Sequence, residues 1–474
     1  NLGLHRYQGN HFSPNGHKYI HAFNCDKVPT TIYRVGGVIL RREVVFQHYE
    51  DRILIRYTLV DSHSETKLRL RPFLAFRSVK EFTHANGVAN RNYQVVDGGI
   101  CTCLYAGYPN LYLQFDKPNE FIYQPDWYRD IEYAKERERG YDSTEDLYVP
   151  GYFELDIKKG ESVVFSASTS EIEPATLHDL FAKEVAERTP RDNFFHCLVN
   201  AAHQFHIHEK NGDRYILAGY PWFKCRARDM FIALPGLTLS INERDYFELV
   251  METAMRGLQE FMAGQPLSVK IAEIEQPDVM LWAVWCIQQY AKDAGLKACQ
   301  SRYGELLHAI LSFIESGHHP HLTLKENGLV YTEGHEKPMT WMNSMADGHP
   351  IVPRSGYIVE FNALWYNALK FSAEMATLMH DEAEEKRLDN LAMRCQQAFV
   401  SCFVNEYGYL FDYVDEGPQD WSVRPNMIFA IALDYSPLNQ QQKKSVLDVC
   451  TRELLTPKGL RTLSPKSNGY TPLY

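Results

Sequence analysis

The feature that most constrains this chain is a change of hydrophobic period near Ala175. Before it, apolar residues alternate with polar ones in short runs. In "TKLRLRPFLAF", Leu68, Leu70 and Phe73 alternate with arginines, and in "NLYLQFD" the pattern is Leu111, Leu113, Phe115. "GGVILRREVVFQ", "DRILIRYTLVD" and "ESVVFSAS" are further short strands, separated by turn residues. Side chains on a strand alternate between faces, so many such runs predict an antiparallel β-sandwich. The charge run "YAKERERG" reads as a solvated helix or loop.

After Ala175 the period becomes helical. "ATLHDLFAKEVAERTPRDNFFHCLVNAAHQFHIH" predicts helix with a break at Pro190. Phe247, Val250, Ala254, Leu258 and Phe261 then recur at spacings of 3, 4, 4 and 3. Ile358, Phe361, Trp365 and Ala368 do the same, as do Leu388, Leu391, Cys395, Ala398 and Cys402. Several connections between these helices are long and rich in Trp, Gly, Pro and charge, and such loops carry function. The alternation of tight and elaborate connections predicts helical hairpins in a ring, with the site at the long-loop end. No short repeat is present, which argues against a solenoid of fixed period. The expected division is a β-sandwich over 1–172, a helical linker over 173–212 and a helical barrel over 213–474.

The formal net charge of −11 argues against nucleic acid as the main partner. No apolar run reaches membrane-spanning length. The ten cysteines form no CxxC pairs, which fits a reducing, cytoplasmic compartment; Cys395 falls at core spacing. The chain opens at Asn1 and closes within "SPKSNGYTPLY", and is expected to be a fragment of a longer protein.

Three loop clusters hold the chemistry. The first is "GYPWFKCRARDMFIALPGL", with Trp222, Lys224, Arg226, Arg228 and Asp229. The second is "EGHEKPMTWMNSMADGHPIVPRSG", and the third surrounds Asp278 in "EIEQPDVMLWAVW". Asp278 could cap its helix, or bind ligand from it. There is no GxSxG, P-loop or HExxH motif. The histidines of "HIHEK" and "HHPHL" lack a third ligand at helix spacing and read as surface or loop residues. The expectation is chemistry without metal or cofactor. Carboxylates set among aromatic platforms point to glycoside hydrolysis, which needs one acid and one base on opposite faces of a sugar.

"AGYPWFKCRARDMFIALPGL", "MTWMN", "VPRSGYIVEFNALWYNAL" and "ELLTPKGLRTLSP", in this order, resemble the bacterial and archaeal type of glycogen debranching enzyme, the amylo-α-1,6-glucosidase branch. The resemblance spans essentially the whole chain. It implies an N-terminal β-sandwich, a C-terminal (α/α)6 barrel related to glucoamylase, an α-glucan substrate and hydrolysis with inversion. It implies that Arg228 and Asp229 hold a terminal glucose by its hydroxyls and that Trp222 is a stacking wall. The local alternative is that Asp229 caps a helix starting at Met230 and pairs with Arg228. Glu360 matches a glutamate common in the family, at a helix start where it could bind sugar or complement the dipole. Trp341 could be a stacking wall or core, Trp365 falls on the apolar stripe, and Arg354 could reach a sugar or a backbone carbonyl.

Two departures from the family stand out. The family acid lies in "TWMD", where this chain has Asn343, and an amide donates no proton as an acid. Either Glu336 or Asp347 supplies the proton, or the substitution inactivates the site, or the chain is a glucan-binding relative. The family base and last barrel helices are expected beyond Tyr474. Another substrate on the same barrel remains a further alternative, and no separate transferase domain is read.

Overall fold

The computed structural model describes residues 1–220 and 222–472. The chain forms two compact units, residues 1–204 and 205–474. Among the described residues, no helix is long and apolar enough to cross a membrane.

The first unit is built from two antiparallel sheets. One has five strands in the spatial order His11–Ser13, His5–Tyr7, Glu120–Glu132, Thr144–Ile157, Thr66–Leu70. The other has eight, in the order Ile20–Asn24, Thr30–Val35, Val38–Phe46, Arg52–Asp61, Ser162–Ser168, Leu111–Phe115, Gly99–Thr102, Tyr93–Val96. Alternation explains how the larger sheet is covered on both faces. On one strand, Val163 joins Leu59, Leu113, Phe115, Phe153 and Leu155 between the sheets. Its neighbour Val164 points the other way, to Val45, Leu54, Leu177 and Phe181. The last two belong to helix α2 (Leu177–Ala186), which closes that face. "YAKERERG" supplies α1 (Ala134–Glu138), which buries nothing, and the Pro190 break separates α2 from α3 (Phe194–His203).

The second unit is helical: α4 (Ala227–Leu237), α5 (Arg244–Met262), α6 (Val279–Ala294), α7 (Leu296–Glu315), α8 (Val359–Leu378), α9 (Glu382–Phe403), α10 (Phe429–Ala432) and α11 (Gln440–Leu454). Helices α6 and α8 are apolar on nearly every side and buried, whereas α5, α7, α9 and α11 each bury one stripe. A helix that is apolar all round belongs inside; α4 packs on α6 and α10 on α8, so these four form the inner row and the others flank it. Gln288 and Asn367, midway along α6 and α8, share a 2.9 Å hydrogen bond, and Arg228 and Asp278 join the starts of α4 and α6.

Connections into the outer helices are short: Gly295 alone between α6 and α7, and residues 379–381 between α8 and α9. Connections into the inner helices are long, spanning 263–278, 316–358 and 404–424. The elaborate loops therefore gather where the inner helices begin. The expected helix through "FHIH" is corrected: His206–His208 is a strand paired with Arg214–Ile216. Its His-Ile-His alternation has period 2, which suits a strand. Of the histidines read as surface or loop residues, His319 does lie in a loop, though buried, whereas His206 is a buried strand residue, which corrects that reading for His206. His206 stacks on Tyr246 with ring centroids 4.0 Å apart.

Candidate active site

The first cluster leads into α4. Arg226 is extended (φ −116°, ψ 136°), and its neighbours pair with the loop before α6: Ala227 N–H donates to Ala272 O at 2.9 Å, and Ala272 N–H to Cys225 O at 3.0 Å. The helix starts at Ala227 rather than Met230, so Asp229 lies inside the first turn and caps nothing. Anionic groups are favoured there by the helix dipole. Asp229 is exposed, and among the described residues its carboxylate accepts no hydrogen bond from a side chain. Trp222 is 53% exposed. Pro221, in the same motif, lies outside the described residues.

Arg228 does not pair with Asp229. It turns inward and clasps Asp278, Nε to Oδ2 at 2.7 Å and Nη2 to Oδ1 at 2.8 Å. Trp282 Nε1–H donates to Asp278 Oδ2 at 3.1 Å, so three donors occupy this buried carboxylate. The Asp278 side chain makes no capping hydrogen bond to α6, and both of its oxygens already accept from neighbours. Burial works against the Arg228 charge, but Asp278 outweighs it and holds the guanidinium above its ordinary pKa.

A second buried cluster lies at the start of α8. Arg354 clasps both oxygens of Glu360, with Nη2 to Oε2 at 2.7 Å, and its Nε lies 2.7 Å from Asp412 Oδ2. All three are about 1% exposed, so the Arg354 and Glu360 side chains are occupied by this buried cluster. Burial pushes Glu360 up from the usual carboxylate range despite the facing guanidinium. Asp412 also accepts from Asn426 Nδ2 at 2.7 Å, and Asn426 Oδ1 accepts from Trp341 Nε1 at 2.8 Å. The sequence did not single out Asp412 or Asn426. Their signal would have been the need of a buried arginine for more than one carboxylate.

Trp341 itself is 39% exposed, whereas Trp365 is fully buried and donates to Gly328 O at 3.1 Å. Asn343, Glu336 and Asp347 are all exposed. Asp347 (φ 49°) and Gly348 (φ 81°) are the central residues of a two-residue hairpin joining Met345–Ala346 to His349–Pro350. Positive φ at both positions is what a type I′ turn requires, and Asp-Gly supplies it. Glu336 instead lines a polar cleft of about 580 Å³ with Lys325, Tyr331, Thr332, His335 and Lys337. The structure thus sorts the candidates in two. Arg228, Asp278, Arg354 and Glu360 form buried ion pairs; Trp222, Asp229, Trp341, Asn343, Glu336 and Asp347 face solvent. Among the described residues the one grouping with metal-ligand spacing is His48, Glu184 and Glu187 in the first unit, where Arg188 already binds Glu184 at 3.0 Å.

Two family profiles match this chain. Residues 1–164 match the family described as glycogen debranching enzyme N terminal, and residues 199–474 the family described as amylo-alpha-1,6-glucosidase. A solved bacterial glucoamylase, complexed with acarbose, shares the fold with a TM-score of 0.51 at 12% identity. The match covers 92% of this chain and 69% of that one. The expected order of antiparallel β-domain and (α/α)6-type helical barrel is borne out.

Proposed function

The chain belongs to the amylo-alpha-1,6-glucosidase family of glycoside hydrolases, and we propose that its substrate is an α-glucan branch from which it releases α-1,6-linked glucose with inversion. The observation that carries this reading is the pair of solvent-facing groups at the start of α4, Asp229 and Trp222. Their buried neighbour Arg228 is paired with Asp278, so Asp229 is the solvent-facing carboxylate here that can accept sugar hydroxyls. Trp222 and Trp341 supply flat apolar faces suited to a pyranose ring. The acarbose of the similarly folded glucoamylase supports an α-glucoside ligand. Ten free cysteines, most of them buried, support a reducing compartment.

Asn343 cannot be the acid, and Asp347 has a sufficient explanation in its turn. We therefore assign the proton donor to Glu336, which lies in a cleft seven residues before Asn343. A carboxylic acid there would protonate the departing glycosidic oxygen while water attacks the opposite face of the sugar. Removing a general acid costs roughly 10²–10⁴ in rate. Glu336→Gln is expected to lose that much in kcat on limit dextrin, and Asp347→Asn to lose little. Full activity in Glu336→Gln overturns the assignment. Bound dextrin with no turnover in the native protein would instead indicate a glucan-binding relative, the reading that Asn343 favours.

A further inference from the structure

We propose that Asp412 and Asn426 are positioning residues that fix the Trp341 ring at the mouth of the site. The proposal rests on the reading of Trp341 as a sugar platform. Trp341 sits on the 316–358 loop, and an exposed indole on a loop is free to rotate about two side-chain torsions unless something holds it. Here its single polar atom is held. Nε1–H donates to Asn426 Oδ1 at 2.8 Å, and Asn426 is fully buried just ahead of α10.

The direction of each bond in this chain is determined by chemistry. An indole can only donate, so the oxygen of Asn426 must face Trp341, and its NH₂ must face the Asp412 carboxylate. Asp412 Oδ1 takes that donation at 2.7 Å. Arg354 contacts both Asp412 oxygens, through Nε at 2.7 Å and Nη2 at 3.2 Å, and clasps Glu360 with Nη1 and the shared Nη2. The Asp412 carbonyl further receives Val359 N–H at 3.2 Å. The line Glu360–Arg354–Asp412–Asn426–Trp341 therefore runs from the first turn of α8, through the 404–424 loop and the start of α10, back to the loop that precedes α8. Every link except the indole is buried, so the ring is tied, through Asn426 and Asp412 on a different connection, to Arg354 and the first turn of α8. Asn426 is specific in this place. Aspartate would lose the donor and set a second carboxylate against Asp412, and leucine would lose both bonds.

The test combines a spectroscopic measurement with a binding cycle on the full-length protein. The Trp341 indole N–H, assigned by ¹⁵N NMR with Trp341→Phe, is expected to exchange with solvent at least tenfold more slowly than that of free tryptophan. Exchange at the free rate overturns the proposal, and this measurement needs no destabilising variant. For binding, Asn426→Leu, Trp341→Phe and the double variant are titrated with maltotetraose. Loss of one such hydrogen bond predicts about a tenfold weaker affinity for Asn426→Leu. In the Trp341→Phe background, which has no indole N–H, the same change is expected to add almost nothing. A full tenfold loss in both backgrounds overturns the proposal. If Trp341→Phe binds like the native protein while the indole remains protected, the platform reading fails and not the tether.

Discussion

At the scale of single residues, Arg228 and Asp229 show why adjacency misleads. Successive residues of a helix point about 100° apart, so sequence neighbours do not face each other. Arg228 turns into the core and takes Asp278 from fifty residues away, leaving Asp229 to solvent. The two should therefore fail in different ways when substituted. Removing one partner of a buried ion pair strands the other charge, so Arg228→Ala is expected to cost about 3–5 kcal/mol of stability. Asp229→Asn should leave the melting temperature within a degree or two. It should lower kcat/KM on limit dextrin by roughly 10–100-fold, the worth of charged hydrogen bonds to hydroxyls. Thermal melts and steady-state kinetics on both variants check this contrast. Equal losses of stability would place Asp229 in the core, against its observed exposure. The exposed candidates were legible in the sequence because aromatic and acidic residues in a long loop stand out by type. The buried ion pairs were not, because nothing local says which distant carboxylate an arginine will choose.

Among the elements, the long helices were the most legible. Phe247, Val250, Ala254 and Leu258 are all buried on α5, and Phe361, Trp365 and Ala368 on α8 with Ile358 buried just before it, because a 3.6 period over five turns has few competing explanations. The two-residue strand pairs inside the loops, such as Thr323–Leu324 with Val330–Tyr331, escaped notice because they are too short to display a period. The 316–358 loop also contains His319, read as a surface or loop residue and found in the loop but buried beside Phe261 and Phe313. Its Nδ1 accepts the His321 backbone N–H at 3.1 Å, which requires that nitrogen to be unprotonated. Burial lowers its pKa to about 4. A histidine whose folded pKa lies below its unfolded value of about 6.5 takes up a proton on unfolding between these limits. Its contribution to stability is therefore complete above pH 6.5 and is lost as pH falls toward 4. His319→Phe should flatten this dependence, so that the fall in melting temperature between pH 7 and pH 5 is smaller than in the native protein. An unchanged fall would show that other groups dominate that window.

For the molecule as a whole, the change of period near Ala175 marks the passage from sheets to helices. The two units each have their own buried clusters: Leu59, Phe115 and Phe153 in the first, and Met230, Trp282 and Trp365 among those of the second. A unit with its own core folds alone, so residues 1–204 expressed separately should melt in one cooperative transition. A broad, non-cooperative melt would contradict this. The central claim concerns the second unit: a glycosidase site at the starts of the inner helices in which Glu336 replaces the acid absent at Asn343. Its most direct test is glucose release from phosphorylase-limit dextrin by the full-length protein, with the anomer followed by NMR from the first minutes. Free glucose is expected to appear as the β-anomer and to be lost in Glu336→Gln. Glucose appearing first as the α-anomer, or only shortening of linear malto-oligosaccharides, would contradict it.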